Sequence, residues 1–411
     1  MRNARLTAAT LAVVGLCACG RVEGVMTPIG FETPPGVSRV DMLVATTRSA
    51  VGVDPAQMFS GERGAEPAFA DVAISIPPDA LRQVGEVQWP QSLPPDPMRD
   101  FTTLRADRLT LPAAIERFDA RVKRTKQGQV LVFVHGFNTR FEDAVYRFAQ
   151  IVHDSRTDAL PVLFTWPSRG RLLAYGYDHE SATFSRDALE RLLQGLVDDK
   201  AVHEVSILAH SMGNWVTIEA LRQMAIRDRG LPDKIKNVML AAPDVDFDVF
   251  QQQVAQISPT AGRFVVFVSR DDRALLASRR VWGDKPRVGG VDLSNPLYAQ
   301  DFARDRILAI DLTGVRSDDP LGHSTFAAAP EIVRAIGLRL AGGQALWEGE
   351  SVGERVGAAT AGAIGAVGSV AGAAASAPFA PFEGRALENV GDGLAGVGDN
   401  LGYGASSLIG R

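Results

Sequence analysis

From about residue 110 to residue 340, short apolar runs alternate with segments of helical periodicity. The runs at 130–134, 205–209 and 264–268 are almost continuously apolar, as expected of strands that are covered on both faces. The segment 181–196 instead places four leucines on one face of a helix. This alternation predicts a mostly parallel sheet with helices on both faces, and ligands bind such sheets at the carboxyl ends of the strands.

A shorter, strand-rich segment precedes the alternating region. Residues 40–46 and 69–76 have the composition of strands, and the second run ends at two prolines. Further along the chain, the same patterns predict strands at 161–165, 238–242 and 307–312 and helices at 141–152, 214–226 and 329–340.

The first nineteen residues resemble a bacterial lipoprotein signal. Two arginines precede the apolar stretch 6–16, which is too short to span a membrane stably. Leu-Cys-Ala-Cys (16–19) has the form of a lipobox, so cleavage after Ala18 would leave Cys19 as a lipidated N-terminus facing the periplasm. The alternative is an ordinary secretory signal in which the cysteines are incidental.

The composition along the chain predicts four parts. Residues 1–18 are a signal peptide, 19–37 a Pro- and Gly-rich tether, 38–345 a folded domain whose first part, 38–105, is rich in strands, and 346–411 a Gly/Ala-rich tail. In the tail, small residues recur at every fourth position over part of its length, a spacing that lets membrane helices approach closely. A flexible or surface-associated tail and a membrane-inserted tail both remain open.

Composition also narrows the classes of function. The chain has 411 residues, 46% hydrophobic and 22% charged, with a net charge of −5 and no block rich in Lys and Arg, so nucleic-acid binding has little support. Cys17 and Cys19 are the only cysteines, which excludes a disulfide framework and a cysteine metal site in the mature chain. Glycine-rich phosphate loops and metal-ligand patterns are absent from the sequence, so we expect neither cofactor nor metal.

Ser211 stands in the most informative motif. Ala-His-Ser-Met-Gly (209–213) follows a predicted strand directly and opens a predicted helix, which is the arrangement of a nucleophile elbow. Small residues on both sides of the serine permit the tight turn, and the backbone N–H of Met212 would face a developing oxyanion. The alternative is a structural turn serine.

A serine nucleophile needs an imidazole base, and in chains with such an elbow the order is serine, acid, histidine. Of six histidines, only His323 follows Ser211. It lies between the last predicted strand and the last predicted helix, so the order selects it.

The acid is less constrained. One acidic cluster, Asp244, Asp246 and Asp248, follows the strand at 238–242, and another, Asp271 and Asp272, follows the strand at 264–268. Asp272 is favoured because it follows the later strand and has room to turn back toward His323. Asp244 is expected to shape the site or to cap the next helix.

The segment Val-His-Gly-Phe-Asn (134–138) ends the first strand of the alternating region. His-Gly at this place is the usual start of an oxyanion-hole loop, so we assign the second N–H donor to Phe137. His135 is expected to order the loop. Asn138 would bond either within the loop or to substrate.

Trp-Pro-Ser-Arg-Gly (166–170) follows another strand and therefore lies on the same side of the predicted sheet. Trp166 or Arg169 would line the substrate pocket, or the segment is a rigid turn with a packed tryptophan. The sequence leaves both interpretations open.

Taken together, these motifs resemble a bacterial α/β-hydrolase family of unknown function whose members are described as esterase- or lipase-like. The resemblance covers about residues 38–345 and includes Phe-Thr-Trp-Pro-Ser-Arg-Gly (164–170), Ala-Ala-Pro-Asp-Val-Asp (241–246) and Gly-His-Ser (322–324). It implies an α/β-hydrolase fold and a triad of Ser211, Asp272 and His323.

The expected activity is hydrolysis of a carboxylic ester, on a small-molecule or lipid substrate, by a protein attached to the membrane through its lipidated N-terminus. Thioester or amide cleavage would use the same residues. The alternative is a non-catalytic envelope lipoprotein that uses the fold for binding or scaffolding. Acyl-chain length and oligomeric state cannot be read from the sequence.

Overall fold

The computed structural model describes residues 22–52, 54–257, 263–315 and 319–341. In these residues the strands are, in chain order, β1 Ser38–Ala50, β2 Phe59–Ile76, β3 Thr102–Leu109, β4 Gln129–Val134, β5 Leu160–Thr165, β6 Glu204–His210, β7 Ile235–Ala241, β8 Phe264–Val268 and β9 Leu308–Asp311. The α-helices are α1 Leu111–Val122, α2 Phe141–Ser155, α3 Tyr175–Asp198, α4 Gly213–Asp228, α5 Phe247–Ile257, α6 Arg273–Val281, α7 Pro296–Arg304, α8 Thr325–Ala328 and α9 Pro330–Ala341.

The strands form one sheet in the order β3-β2-β1-β5-β4-β6-β7-β8-β9. In the part of the sheet that runs β1-β5-β4-β6-β7-β8-β9, every neighbouring pair is parallel. β2 pairs antiparallel with both β1 and β3. The carboxyl ends of the parallel strands therefore meet at one edge, and the loops that follow β4, β6, β7 and β8 lie together there.

Each face of the sheet carries its own hydrophobic core. All six residues of β4 are buried, and its alternate side chains enter the two cores. Helices α2, α8 and α9 cover one face, and α3, α4, α5 and α7 contribute to the core on the other. This arrangement explains why the central strands read as continuous apolar runs instead of alternating ones.

The expected fold class is confirmed: a mostly parallel sheet with helices on both faces follows a strand-rich N-terminal segment. Several elements were not predicted, namely β3, α1, α5, α6, α7 and α8, and β2 begins ten residues earlier than expected. The sequence of β3 holds two arginines and an aspartate among eight residues, so its strand character is masked by charge.

The predicted tether is shorter than expected. Residues 19–21 lie outside the described part, but from Val22 the chain already packs on the protein, and Val25 and Met26 are buried. The carbonyl of Val25 accepts hydrogen bonds from Tyr146 (3.0 Å) and from Thr103 (2.8 Å). Residues 22–26 are therefore fixed on the folded domain and do not belong to a free linker. The predicted signal peptide and the predicted tail lie outside the described residues.

No helix of the described residues is both long enough and apolar enough to cross a membrane.

A buried carboxylate fastens the antiparallel part of the sheet. Asp71, on β2, is fully buried and accepts hydrogen bonds from Arg105 of β3 (2.8 Å) and from Arg117 (2.6 Å) and Arg121 (2.7 Å) of α1. Three guanidinium groups from two elements thus share one acceptor, although Arg105 also donates to Asp41 (2.6 Å). The three-way contact holds α1 and β3 against β2.

Asp71→Asn is expected to lower the free energy of unfolding by about 3 kcal/mol, because it removes the buried charge that compensates these arginines, of which only Arg105 has a second carboxylate partner in the described ranges. Urea denaturation followed by circular dichroism measures the change. Glu116→Gln, which neutralises an exposed carboxylate on the same helix α1, is the matched control and should leave stability nearly unchanged. Equal effects of the two substitutions would contradict the role given to Asp71.

Candidate active site

Ser211 occupies a left-handed turn between β6 and α4. Its φ is +54°, a backbone conformation that few residues other than glycine adopt. The turn is held by hydrogen bonds from Ser211 N to Ala241 O (2.9 Å) and from the Asn214 side chain to the carbonyls of Ser211 (2.8 Å) and Ala241 (3.0 Å). The neighbouring strand β7 and the first turn of α4 therefore fix the strained residue.

Two glycines allow the loop after β4 to approach this turn closely. A Cβ atom on Gly213 would lie 2.3 Å from the carbonyl oxygen of His135, and one on Gly136 would lie 2.7 Å from the Cβ of Ser211. Real Cβ atoms do not approach other atoms this closely, so both positions require glycine in this backbone arrangement.

His323 and Asp272 are brought together although 51 residues separate them. The Nδ1 of His323 donates to Oδ2 of Asp272 at 2.7 Å. Asp272 is buried, and its other oxygen accepts the N–H of Leu275 (3.0 Å), so it also caps α6. This contact fixes the tautomer of His323. In the neutral ring the proton is on Nδ1, and Nε2 is unprotonated.

The two histidines nearest Ser211 differ in electrostatic environment. Burial by itself lowers the pKa of His323, but the Asp272 carboxylate outweighs burial and the pKa is raised above its ordinary value of 6.5. Burial, reinforced by the nearby His323, holds the pKa of His210 well below 6.5. His210 packs against His323 with ring centres 4.7 Å apart and donates from Nε2 to the His323 carbonyl (3.1 Å). It therefore supports the histidine loop as a neutral ring.

Ser211 and His323 both line a cavity of about 360 Å³ at the carboxyl edge of the sheet. The rest of the wall is mostly apolar and includes Val87, Trp89, Phe133, Phe137, Leu172, Tyr175, Leu275, Val281 and Leu321. Among the described residues, no hydrogen bond joins the Ser211 hydroxyl to His323. Unoccupied active sites often hold such pairs at a longer distance than the reacting complex does.

In the described part of the chain, the backbone N–H groups of Gly136, Phe137 and Met212 have no acceptor within the protein. Met212 follows Ser211 and is buried, and Phe137 belongs to the cavity wall and is partly buried. A buried N–H without a partner, such as that of Met212, is uncommon.

His135 is fully tied into the loop. Its Nδ1 donates to the Gly136 carbonyl (2.8 Å), and its Nε2 accepts from the Thr165 hydroxyl (2.8 Å) and from Trp166 N (3.1 Å). Burial holds its pKa well below the ordinary 6.5. Both ring nitrogens are engaged within the protein, and these contacts hold the loop after β4 against β5. Asn138 lines the cavity with a φ of +56°.

Arg48 is a buried residue that the motif reasoning did not single out. Its guanidinium donates to the carbonyls of Thr139 (2.8 Å), Ser168 (2.9 Å) and Ser60 (3.2 Å) and to the hydroxyl of Thr165 (2.8 Å). Burial lowers its pKa to about 10. It joins β1, the start of β2 and the loops after β4 and β5. Its place in Ala-Thr-Thr-Arg (45–48) was the available signal, but a strand pattern does not predict a buried arginine.

Asp244 has a structural set of partners. Its carboxylate accepts from Tyr175 (2.7 Å), Ser278 (2.6 Å) and Arg287 (2.7 Å). It contributes to the cavity wall, whereas Asp246 caps the next helix by accepting the N–H groups of residues 248 and 249. Asp244 thus shapes the cavity and does not cap α5.

Trp166 and Arg169 do not line the cavity, so the pocket interpretation of this segment was wrong. Trp166 is completely buried, stacks on His135 at 4.9 Å and donates to its carbonyl (2.8 Å). Arg169 pairs with Glu62 and lies over the ring of Tyr177. The reason is that both side chains are held by other protein groups: Trp166 packs on His135 of the loop after β4, and Arg169 pairs with Glu62 of β2.

Within the described ranges, no group of three or more His, Cys, Asp or Glu side chains is arranged to hold a metal ion.

A serine on a strand-turn-helix elbow, an acid after β8 and a histidine after β9 of a mostly parallel sheet define an α/β hydrolase. The chain belongs to the family described as alpha/beta hydrolase of unknown function (DUF900), whose model matches residues 112–339. The matched segment begins in α1 and ends in α9.

Other similarities are more distant. A curated relative, the uncharacterized protein alr1448 of a Nostoc species, is 26% identical over 149 residues, which are 29% of this chain and 38% of that protein. The chain thus spans well under half of its length. An esterase of Pyrobaculum calidifontis aligns over 77% of this chain and 87% of its own, with 12% identity and a TM-score of 0.33.

The structure of brefeldin A esterase, titled a bacterial homologue of human hormone sensitive lipase, aligns over 79% of this chain and 81% of its own, with 13% identity and a TM-score of 0.31. Structural similarities of this size say nothing about the substrate of the chain.

The histidines give a test of the site that needs no substrate. At pH 6.5 His323 should be more than half protonated, while His135 and His210 stay neutral, as measured by NMR of the imidazole rings. Asp272→Asn should lower the pKa of His323, because the carboxylate that raises this pKa is removed while burial still lowers it. Since the folded pKa is raised, the Asp272 contact stabilises the fold fully below pH 6.5 and is lost as pH rises through the folded pKa.

Asp319→Asn is the matched control, since the Asp319 carboxylate raises the pKa of His323 less than the Asp272 carboxylate does. An equal shift in the two variants would show that Asp272 has no special place beside His323.

Proposed function

We propose that the protein is a serine hydrolase that cleaves carboxylic esters through an acyl-enzyme, with Ser211 as the nucleophile. The observation that carries the proposal is that Ser211, His323 bound to Asp272, and Phe137 line one cavity, while the N–H groups of Phe137 and of Met212, the residue after Ser211, have no acceptor among the described residues. Membership of an α/β-hydrolase family supports the same reaction class.

In the proposed reaction, Nε2 of His323 takes the proton of the Ser211 hydroxyl as its oxygen attacks the ester carbonyl. The carbonyl oxygen becomes an oxyanion and accepts the N–H groups of Phe137 and Met212. Protonated His323, stabilised by Asp272, then gives its proton to the departing alkoxide. Water attacks the acyl-enzyme by the same route and regenerates Ser211.

The cavity favours a substrate with an apolar acyl group. Its volume of about 360 Å³ is at the lower end of the 300–1,000 Å³ that is common for small-molecule sites. Its walls are largely aliphatic and aromatic, so they offer an acyl chain contact but few polar partners. A small-molecule or lipid ester fits this lining, and thioesters or amides would meet the same catalytic groups.

We place the enzyme at a bacterial membrane, facing the periplasm and held by acyl chains on Cys19. The lipobox at 16–19 supports this assignment. Mass spectrometry of the N-terminal peptide tests it, and an unmodified Cys19 would overturn it.

Ser211→Ala should abolish labelling by a fluorophosphonate probe, because the serine oxygen is the atom that the phosphorus captures. Ser324→Ala removes a different hydroxyl from the same cavity wall and should retain labelling. Persistent labelling of the Ser211 variant would rule out its role as nucleophile. Specific binding of acyl ligands without hydrolysis of p-nitrophenyl esters would favour the non-catalytic alternative.

Gly136→Ala should lower kcat by about 10², since its Cβ would push the oxyanion loop away from Ser211. KM for a p-nitrophenyl ester should change less than kcat, because most of the acyl-binding wall belongs to other segments. Gly176→Ala, with open space around its Cβ, is the matched control and should keep full activity. Thermal unfolding of both variants checks that the fold is intact, and an unchanged kcat in a folded Gly136 variant would refute the assigned donor.

A further inference from the structure

Exposed apolar side chains are concentrated around the mouth of the cavity. The described residues have fourteen large hydrophobic side chains that are exposed, and five of these form a group that we call the apolar rim: Leu172, Leu173, Leu276, Trp282 and Leu321. Leu172 and Leu321 line the cavity itself, and Leu276 stands between two lining residues of α6. Leu173 is 84% exposed. Exposed apolar side chains that are grouped in this way, rather than scattered singly, mark an interaction surface.

The rim is bordered by cations. Arg171 precedes the two leucines of the rim, and Arg273 and Arg280 lie on α6; all three are exposed and have no ion pair recorded in the described part of the chain. The chain as a whole carries a net charge of −5, so this local excess of positive charge is not a general property. Apolar side chains beside unpaired arginines are suited to an anionic lipid surface.

The position of the N-terminal segment agrees with such a surface. Residues 23–26 line a second cavity with Arg48 and Phe141, at the carboxyl edge where the active-site cavity opens. Cys19 precedes Val22 by three residues, which reach at most about 10 Å even when fully extended. A lipid on Cys19 would therefore lie near the same edge of the sheet as the rim.

We propose that the apolar rim docks on the surface of an anionic phospholipid membrane and that the cavity mouth then faces the acyl lipids of that membrane. The docking stands on the rim, the arginines and the N-terminal segment. Only the statement that membrane lipids supply the ester rests on the proposed function.

Trp282 provides a direct readout of docking. The full chain is reconstituted with vesicles of phosphatidylglycerol and phosphatidylcholine whose acyl chains carry bromine, a short-range quencher of tryptophan fluorescence. The difference between the wild type and Trp282→Phe isolates the signal of the rim from those of the other four tryptophans. Quenching of this component is expected, and an unquenched Trp282 would overturn the proposal, whether the rim faces water or a second copy of the chain.

The leucines and arginines are tested in the same assay. Leu173→Ser with Leu276→Ser should reduce the Trp282-dependent quenching at least about fivefold, because both side chains lose apolar area to bury. Ile226→Ser with Leu297→Ser, which changes two exposed apolar residues of α4 and α7, should leave it unchanged. Arg280→Gln should weaken the preference for phosphatidylglycerol about fivefold. Equal effects of the two double variants, or no preference for phosphatidylglycerol, would overturn the proposal.

Hydrolysis of a water-soluble p-nitrophenyl ester separates the two proposals. Leu173 and Leu276 do not line the cavity, so their double variant should keep this activity while it loses docking. Docking that depends on the rim, in a protein without esterase activity, would overturn the proposed function and leave the docking surface standing.

Discussion

The close approach of the loop after β4 to the turn at Ser211 is the constraint on which the rest of the site depends. It requires a left-handed serine and glycine at both 136 and 213. The approach brings the loop that carries Phe137 against the turn that carries Ser211 and Met212. A larger side chain at either glycine would separate the two halves of the site, so the backbone rather than any side chain sets its geometry.

Arg48 holds the loop after β4 in this position through its hydrogen bonds. A buried guanidinium usually needs a carboxylate, but the hydrogen bonds of Arg48 go to carbonyl and hydroxyl oxygens. The carbonyls of three different segments could not converge without a donor that has several N–H groups in fixed directions. The same positive charge also lowers the pKa of the adjacent His135. The charge thus supports a neutral imidazole in the loop and ties it to β1 and β5.

The sequence predicted those parts of the fold in which one local pattern decides the outcome. Continuous apolar runs identified the central strands, because burial on both faces leaves no other composition possible. Chain order identified His323 from a single remaining candidate. The missed elements depend on distant partners: β3 is a strand because its Arg105 meets Asp71, and the part of β2 before residue 69 is a strand because it pairs with β1. The same limit explains Trp166, whose position after a strand did not reveal which way its side chain would turn.

The environments of the histidines show why residue type alone does not identify the candidate catalytic residues. His135, His210 and His323 are all enclosed by the protein, and burial lowers the pKa of each. Only His323 has a carboxylate at Nδ1, and only its pKa moves upward. Asp244, in the other acidic cluster of the sequence, already accepts three side-chain donors. What distinguishes His323, the proposed base, from His135 and His210 is therefore one 2.7 Å contact with Asp272. The contact forms because β8 and β9, which precede the two residues, pair side by side.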